Sequence, residues 1–198
     1  MNKTAHKGFT FSQSEKAKLV LNSKNTGFTL VELLVVIAII AILAAVVVLI
    51  INPLELTRRG RDAARLTDLA NLQNAINVAV QESSDSGAVG VLCVGSADYP
   101  CTGKSTDTNA READGTGWVK VNLSSSNSVS VPTLPVDPTN TATYHYTYCA
   151  DDDAWEIAAT LESEQQAGKL TGDGGDEDTL YEVGSNLNLI NPSGVCQY

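Results

Sequence analysis

Basic side chains are scarce beyond residue 87, where only Lys104, Arg111, Lys120 and Lys169 occur in a chain of formal net charge −10. Binding to phosphate backbones draws its affinity from clustered Lys and Arg, so no nucleic acid is expected as a partner. Histidine is scarcer: apart from His6, the chain has only His145. No serine sits in a nucleophile elbow, and no phosphate-cradling glycine loop is present. With no catalytic constellation in view, the sequence does not read as an enzyme. His145 lies in the alternating run Tyr144, His145, Tyr146, Thr147, Tyr148 and reads as a strand-face residue, while the three tyrosines read as packing.

The cysteines are few but informative. Cys93, Cys101, Cys149 and Cys196 are even in number and all lie beyond the long apolar segment, which suits an oxidising, extracytoplasmic compartment. No pair has close CxxC spacing and only His145 is near, so disulfides are preferred to a metal site. Four cysteines allow three pairings. Cys93 with Cys101 and Cys149 with Cys196 is favoured, because the first pair brackets a short loop containing Gly, Ser and Pro; the sequence leaves the other pairings open.

Charge is unevenly placed. Lys3, Lys7, Lys16, Lys18 and Lys24 against Glu15 make residues 1–27 basic, and these polar residues read as a leader. Residues 33–51 are then drawn only from Leu, Val, Ile and Ala. At about 1.5 Å per helical residue they span about 28 Å, the thickness of a bilayer's hydrocarbon core. A lone strand would leave its backbone unpaired in lipid, so this segment is expected to be a helix. Asn52 and Pro53 interrupt it, and Pro53 is expected to kink the helix rather than end it. Leu66, Leu69, Leu72, Ile76, Ala79 and Val80 then recur at helical spacing, with Arg65, Asp68, Asn71, Asn74 and Gln81 between them. The stop is residues 83–87, Ser-Ser-Asp-Ser-Gly.

Beyond it, residues 118–123, 144–149, 155–160 and 179–183 read as antiparallel strands, and residues 124–128, 134–138 and 171–178 as loops. Asp151, Asp152 and Asp153 suit a hairpin turn before Trp155. The expected fold is α+β, a long N-terminal transmembrane and amphipathic helix packed on a small antiparallel sheet. Its divisions are a leader over 1–27, a transmembrane helix over 28–52, an amphipathic continuation over 53–86, and a small β-rich domain over 87–198.

The stretch Gly27, Phe28, Thr29, Leu30, Val31, Glu32 sets a small residue, an aromatic and one carboxylate directly before the apolar helix. A secretory signal differs, with an apolar core of about 7 to 15 residues that is removed with the peptide. The stretch resembles the type III signal of type IV pilins and type II secretion pseudopilins. That resemblance implies cleavage by a prepilin peptidase after Gly27, N-methylation of Phe28, and retention of the helix for filament assembly. It also implies that Glu32 pairs with the new Phe28 amine of a neighbouring copy, in a filament of itself and related pilins built by an assembly platform and a cytoplasmic ATPase. The leader over residues 1–27 is longer than most of the family has, and Pro53 falls a few residues later than the family's usual helix-breaking proline.

Topology by charge is nearly tied, since the leader lysines face Arg58, Arg59, Arg61 and Arg65 across the apolar run. The cysteines and the junction place the C-terminal domain outside, as a single-pass membrane protein before assembly and a periplasmic or extracellular filament afterwards. The arginines are candidates to answer Glu55, Asp62 or Asp68 of neighbouring helices, or to form a solvated basic face.

Residues 171–178, Thr-Gly-Asp-Gly-Gly-Asp-Glu-Asp, combine flexible backbone with hard oxygen donors, as calcium requires, though without the spacing of an EF-hand loop. They are similar to the calcium loop of major pseudopilins, and the resemblance implies Asp173, Asp176 and Asp178 as ligands. The leading reading is a structural filament subunit. Its rivals are a tethered or secreted calcium-dependent adhesive protein that does not polymerise, and a conventionally exported enzyme.

Overall fold

The computed structural model describes residues 27–86, 90–94, 99–126 and 128–198, so the expected leader lies outside the described residues except for Gly27. Two compact units are present, one ending at Val47 and one beginning at Val48. In the first, helix α1 begins at Leu30 and runs to Ile50. Every described side chain of α1 is exposed. Among the described residues, Leu30–Val48 is one helix long and apolar enough to cross a bilayer.

Helix α2 occupies Pro53–Ser86. Instead of a kink at Pro53, the structure ends α1 at Ile50 and nucleates a new helix. Asn52 Oδ1 accepts the Leu54 and Glu55 amides at 3.2 and 3.3 Å, an N-cap, and Pro53 takes the first helical position. A proline there needs no partner for its missing N–H, and its fixed φ already suits a helix. Leu69, Leu72, Ala75, Ile76 and Ala79 are buried from α2 into the core of the second unit.

Four antiparallel strands, β1 (Cys101–Lys104), β2 (Tyr146–Asp151), β3 (Ala154–Ala159) and β4 (Tyr181–Gly184), lie side by side in chain order. The fold is thus α+β. The β2–β3 hairpin closes through Asp152 and Asp153, with Asp152 at φ 49°, a left-handed conformation that Asp tolerates. The register puts Tyr146, Tyr148, Ala150, Trp155, Ile157, Ala159 and Val183 in the core cluster shared with α2. Cys149, Glu156, Ala158 and Glu182 take the opposite face, where Leu189 and Ile190 of the C-terminal segment cover them.

Two strand expectations change. Residues 118–123 form no ladder strand: Val119, Val121 and Leu123 are buried with Lys120 and Asn122 half-buried between them, but the segment pairs only through an isolated bridge from Asn122 to Asp114. Its backbone bonds go to turns, with the Leu123 amide on the Ala113 carbonyl at 2.8 Å and the Lys120 carbonyl taking the Val94 amide at 2.8 Å. The strand that fills the sheet edge is β1, short and lacking apolar alternation. Gly103 in it lies against the Trp118 carbonyl, where any Cβ would collide.

Candidate functional site

At the N-terminal junction, Gly27 and Phe28 precede the helix and are exposed. Thr29 caps α1: its Oγ1 accepts the Glu32 amide at 3.2 Å. Glu32 answers, its Oε2 accepting both the Thr29 amide and the Thr29 hydroxyl at 2.8 Å. This reciprocal capping box was legible as T-x-x-E and was missed by the sequence reading. It alters the account of Glu32, whose carboxylate already has donors within its own chain.

Arg65, expected on the polar face of α2, is fully buried. Its guanidinium meets Asp137 at 2.6 and 2.9 Å, Asp62 at 2.8 Å, Thr139 at 2.8 Å and Glu162 at 2.7 Å, and lies 5.3 Å from the centre of the Tyr144 ring. Burial disfavours the Arg65 charge, but the hydrogen bonds to Asp137, Asp62 and Glu162 outweigh it and hold the group protonated. Glu162 also pairs with Arg61, and that hydrogen bond, with Arg65 behind it, pulls the Glu162 carboxyl down to about 2. Asp62 further accepts the amides of Glu162 and Ser163 at 3.0 and 2.8 Å. Asp68 accepts the Tyr146 hydroxyl at 2.9 Å. Asp62 and Asp68 are therefore engaged within the domain rather than offered to neighbouring helices, and this network clamps α2 to the loops at Asp137 and Glu162.

The acidic loop has a different arrangement from the expected one. Asp176 and Asp178 are exposed, and Asp173 turns inward to accept the Gly175 amide at 3.1 Å and the Glu182 amide at 2.8 Å. Among the described residues, no group of three or more His, Cys, Asp or Glu side chains is gathered to hold a metal ion. Below the loop, however, lie two carboxylates that the sequence reading did not single out, Glu156 at 0% and Glu182 at 1% exposure. Glu156 Oε2 accepts the Leu189 and Ile190 amides at 2.7 and 3.0 Å, and Glu182 Oε2 accepts the Glu177 amide at 3.2 Å. Oε1 of each is buried without a hydrogen-bond partner. Burial pushes both carboxyls up; for Glu182 the hydrogen bond and charge of Glu156 add to it and take the group to about 9, whereas the same hydrogen bond pulls Glu156 partly back.

Residues 22–48 match the family model described as the prokaryotic N-terminal methylation motif. The chain carries a prepilin signal of the type IV pilin and pseudopilin kind. No curated protein and no solved structure matches the chain. The signal covers the capping box and most of α1 and ends before α2, so the remaining sites of the chain stand on their geometry.

Disulfides join Cys93 to Cys101 and Cys149 to Cys196. His145 precedes β2 rather than lying within it, and lines a cavity of about 270 Å³ with Thr147, Thr160, Leu180 and Gly194. Burial lowers its pKa. Tyr146 and Tyr148 enter the core, whereas Tyr144 is only half-buried and faces Arg65.

Proposed function

We propose that the chain is the structural subunit of a type IV pilus-like or type II secretion pseudopilus-like filament. A prepilin peptidase cuts between Gly27 and Phe28 and Phe28 is N-methylated. The methylation motif over residues 22–48 carries this reading. Before assembly the subunit is held by its apolar helix in the cytoplasmic membrane, with the disulfide-bonded domain outside.

Assembly then packs α1 among copies of itself. Moving an apolar helix from lipid into a helical core changes its hydrophobic environment little, so apolar burial alone does not drive extraction. A cytoplasmic ATPase acting through a membrane platform supplies that work. Glu32 is the register device. Its carboxylate is held by Thr29, one residue from Phe28, and exchanges that local cap for the amine of a neighbouring Phe28, which offers a full charge in place of neutral donors. In the same reading the acidic loop containing Asp173, Asp176 and Asp178 binds calcium.

Mass spectrometry of the mature N-terminus tests the proposal: N-methylated Phe28 supports it, and cleavage within residues 41–45 overturns it. Glu32→Ala should leave cleavage intact and abolish filaments; normal filaments from this variant would remove the register role.

A further inference from the structure

Arg58, Arg59, Arg61 and Arg65 all follow the apolar run, and the fold divides them. Arg61 and Arg65 are spent inside the domain on Glu162, Asp137 and Asp62. Arg58 and Arg59 keep side chains that are 39% and 43% exposed, with one carboxylate between them: Arg58 Nη1 lies 4.0 Å and Arg59 Nε 3.3 Å from Glu55. Two guanidinium groups on one glutamate leave a positive charge unanswered. Helical side chains lean toward the N-terminus, and both arginines reach back to the level of Glu55, toward the apolar run. Leu54 and Leu56 stand beside them, 56% and 61% exposed, at i,i+4 from Arg58 and i,i+3 from Arg59. The Thr57 hydroxyl between them donates to the Pro53 carbonyl at 3.0 Å, so it enters an apolar layer already paired.

We propose that the first two turns of α2 are an interfacial foot: Leu54 and Leu56 enter the acyl boundary of the leaflet on the domain's side, and Arg58 and Arg59 bind the phosphates of anionic phospholipid there. This rests on the reading above that α1 holds the subunit in a membrane before assembly. Glu55 stands four residues beyond Ile51, roughly 6 Å at helical rise, and the headgroup layer on each side of the hydrocarbon core is roughly 5 to 7 Å deep. The two guanidinium groups therefore stand at phosphate height, while the leucine side chains, leaning the same way, reach the acyl boundary. A guanidinium carries five N–H donors in a fork that matches phosphate oxygens. Glu55 uses one or two of them, so a phosphate adds to that pair and need not displace it. The exposed leucines are continuous in sequence with the membrane-length run, and the unanswered charge beside them is positive, which is why the partner is lipid phosphate. The foot fixes the height of the domain over the membrane and is withdrawn together with α1 when the subunit is extracted.

Fluorescence quenching of the full chain in vesicles tests this. The vesicles are phosphatidylcholine with or without phosphatidylglycerol, and the probe is Leu56→Trp against lipids brominated just below the headgroup. Trp118 and Trp155 are buried, at 0% and 2% exposure, and give a constant background. Leu43→Trp, with bromines deeper in the acyl chain, reports the membrane-held reading itself. Both probes should be quenched. No quenching of Leu43→Trp overturns that reading and the foot together, whereas quenching of Leu43→Trp without quenching of Leu56→Trp overturns the foot alone. Phosphatidylglycerol should increase the quenching of Leu56→Trp, and Arg58→Gln combined with Arg59→Gln should cancel that gain, each arginine being worth about fivefold in partition onto an anionic surface. A gain that survives the double variant overturns the phosphate contact. If Leu56→Trp is unquenched in vesicles but shielded from aqueous iodide in assembled filaments, the face belongs to a second copy of the chain and the proposal falls.

Discussion

Arg65 and its acids show how one side chain can hold a helix to a domain. Asp137, Asp62 and Glu162 surround a guanidinium with no access to solvent. Removing one member of such a network leaves charge buried without a partner, so Arg65→Ala should cost about 3–5 kcal/mol of unfolding free energy, read by denaturant titration. Glu162 adds a pH dependence. Its folded-state pKa, lowered to about 2 by Arg61 and Arg65, lies below the ordinary 4.5, so its contribution is fully present above about pH 4.5. That contribution is lost as pH falls from there toward 2. The difference in melting temperature between wild type and Glu162→Gln should therefore shrink through that window and stay constant above it. The helical pattern placed Arg65 on the polar face, because periodicity assigns a face by residue type and cannot see two acids, Asp137 and Glu162, converging from loops some 70 to 100 residues away.

At the scale of elements, the two helices start by different local devices, both written in sequence. Thr29 and Glu32 form a reciprocal box before α1, and Asn52 and Pro53 cap and open α2. Asn52→Ala should destabilise the chain by about 1 kcal/mol, the usual worth of an N-cap, with Asn52→Ser restoring most of it in the same unfolding assay. Helices, the β2–β3 hairpin and β4 were legible because each is set by neighbouring residues: apolar spacing, turn-forming aspartates, aromatic and β-branched runs. The edge strand β1 was not, since Cys101, Thr102, Gly103 and Lys104 carry no alternation. Residues 118–123 failed in the opposite sense. Their aromatic and β-branched character and alternating burial suit a strand, but loop residues such as Val94 and Ala113 rather than a neighbouring strand satisfy their backbone.

For the whole molecule, the two disulfides close loops of very different length, with separations of 8 and 47 residues. Loop-closure entropy then assigns about 2.5 kcal/mol to the Cys93–Cys101 bond and about 4 kcal/mol to the Cys149–Cys196 bond. Paired Ser substitutions should follow that order in denaturant midpoint, and only loss of the longer one should speed hydrogen exchange at the Leu189 and Ile190 amides. The exposed α1 belongs to this scale too, since its apolar side chains are covered only by lipid or by other helices.

The sequence by itself determined that the chain carries a prepilin-type methylation signal and a membrane-length apolar helix. The Gly27–Phe28 junction, the capping box and the unbroken apolar run are contiguous, and contiguous features act through local hydrogen bonds and transfer from water that need no fold to be read. Only the tertiary structure decided which charges are buried. Arg65 is answered by acids from distant loops, while Glu156 and Glu182 meet across neighbouring strands with two oxygens unsatisfied. The energy of a buried charge depends on what stands opposite it, and strand register, not residue order, sets that.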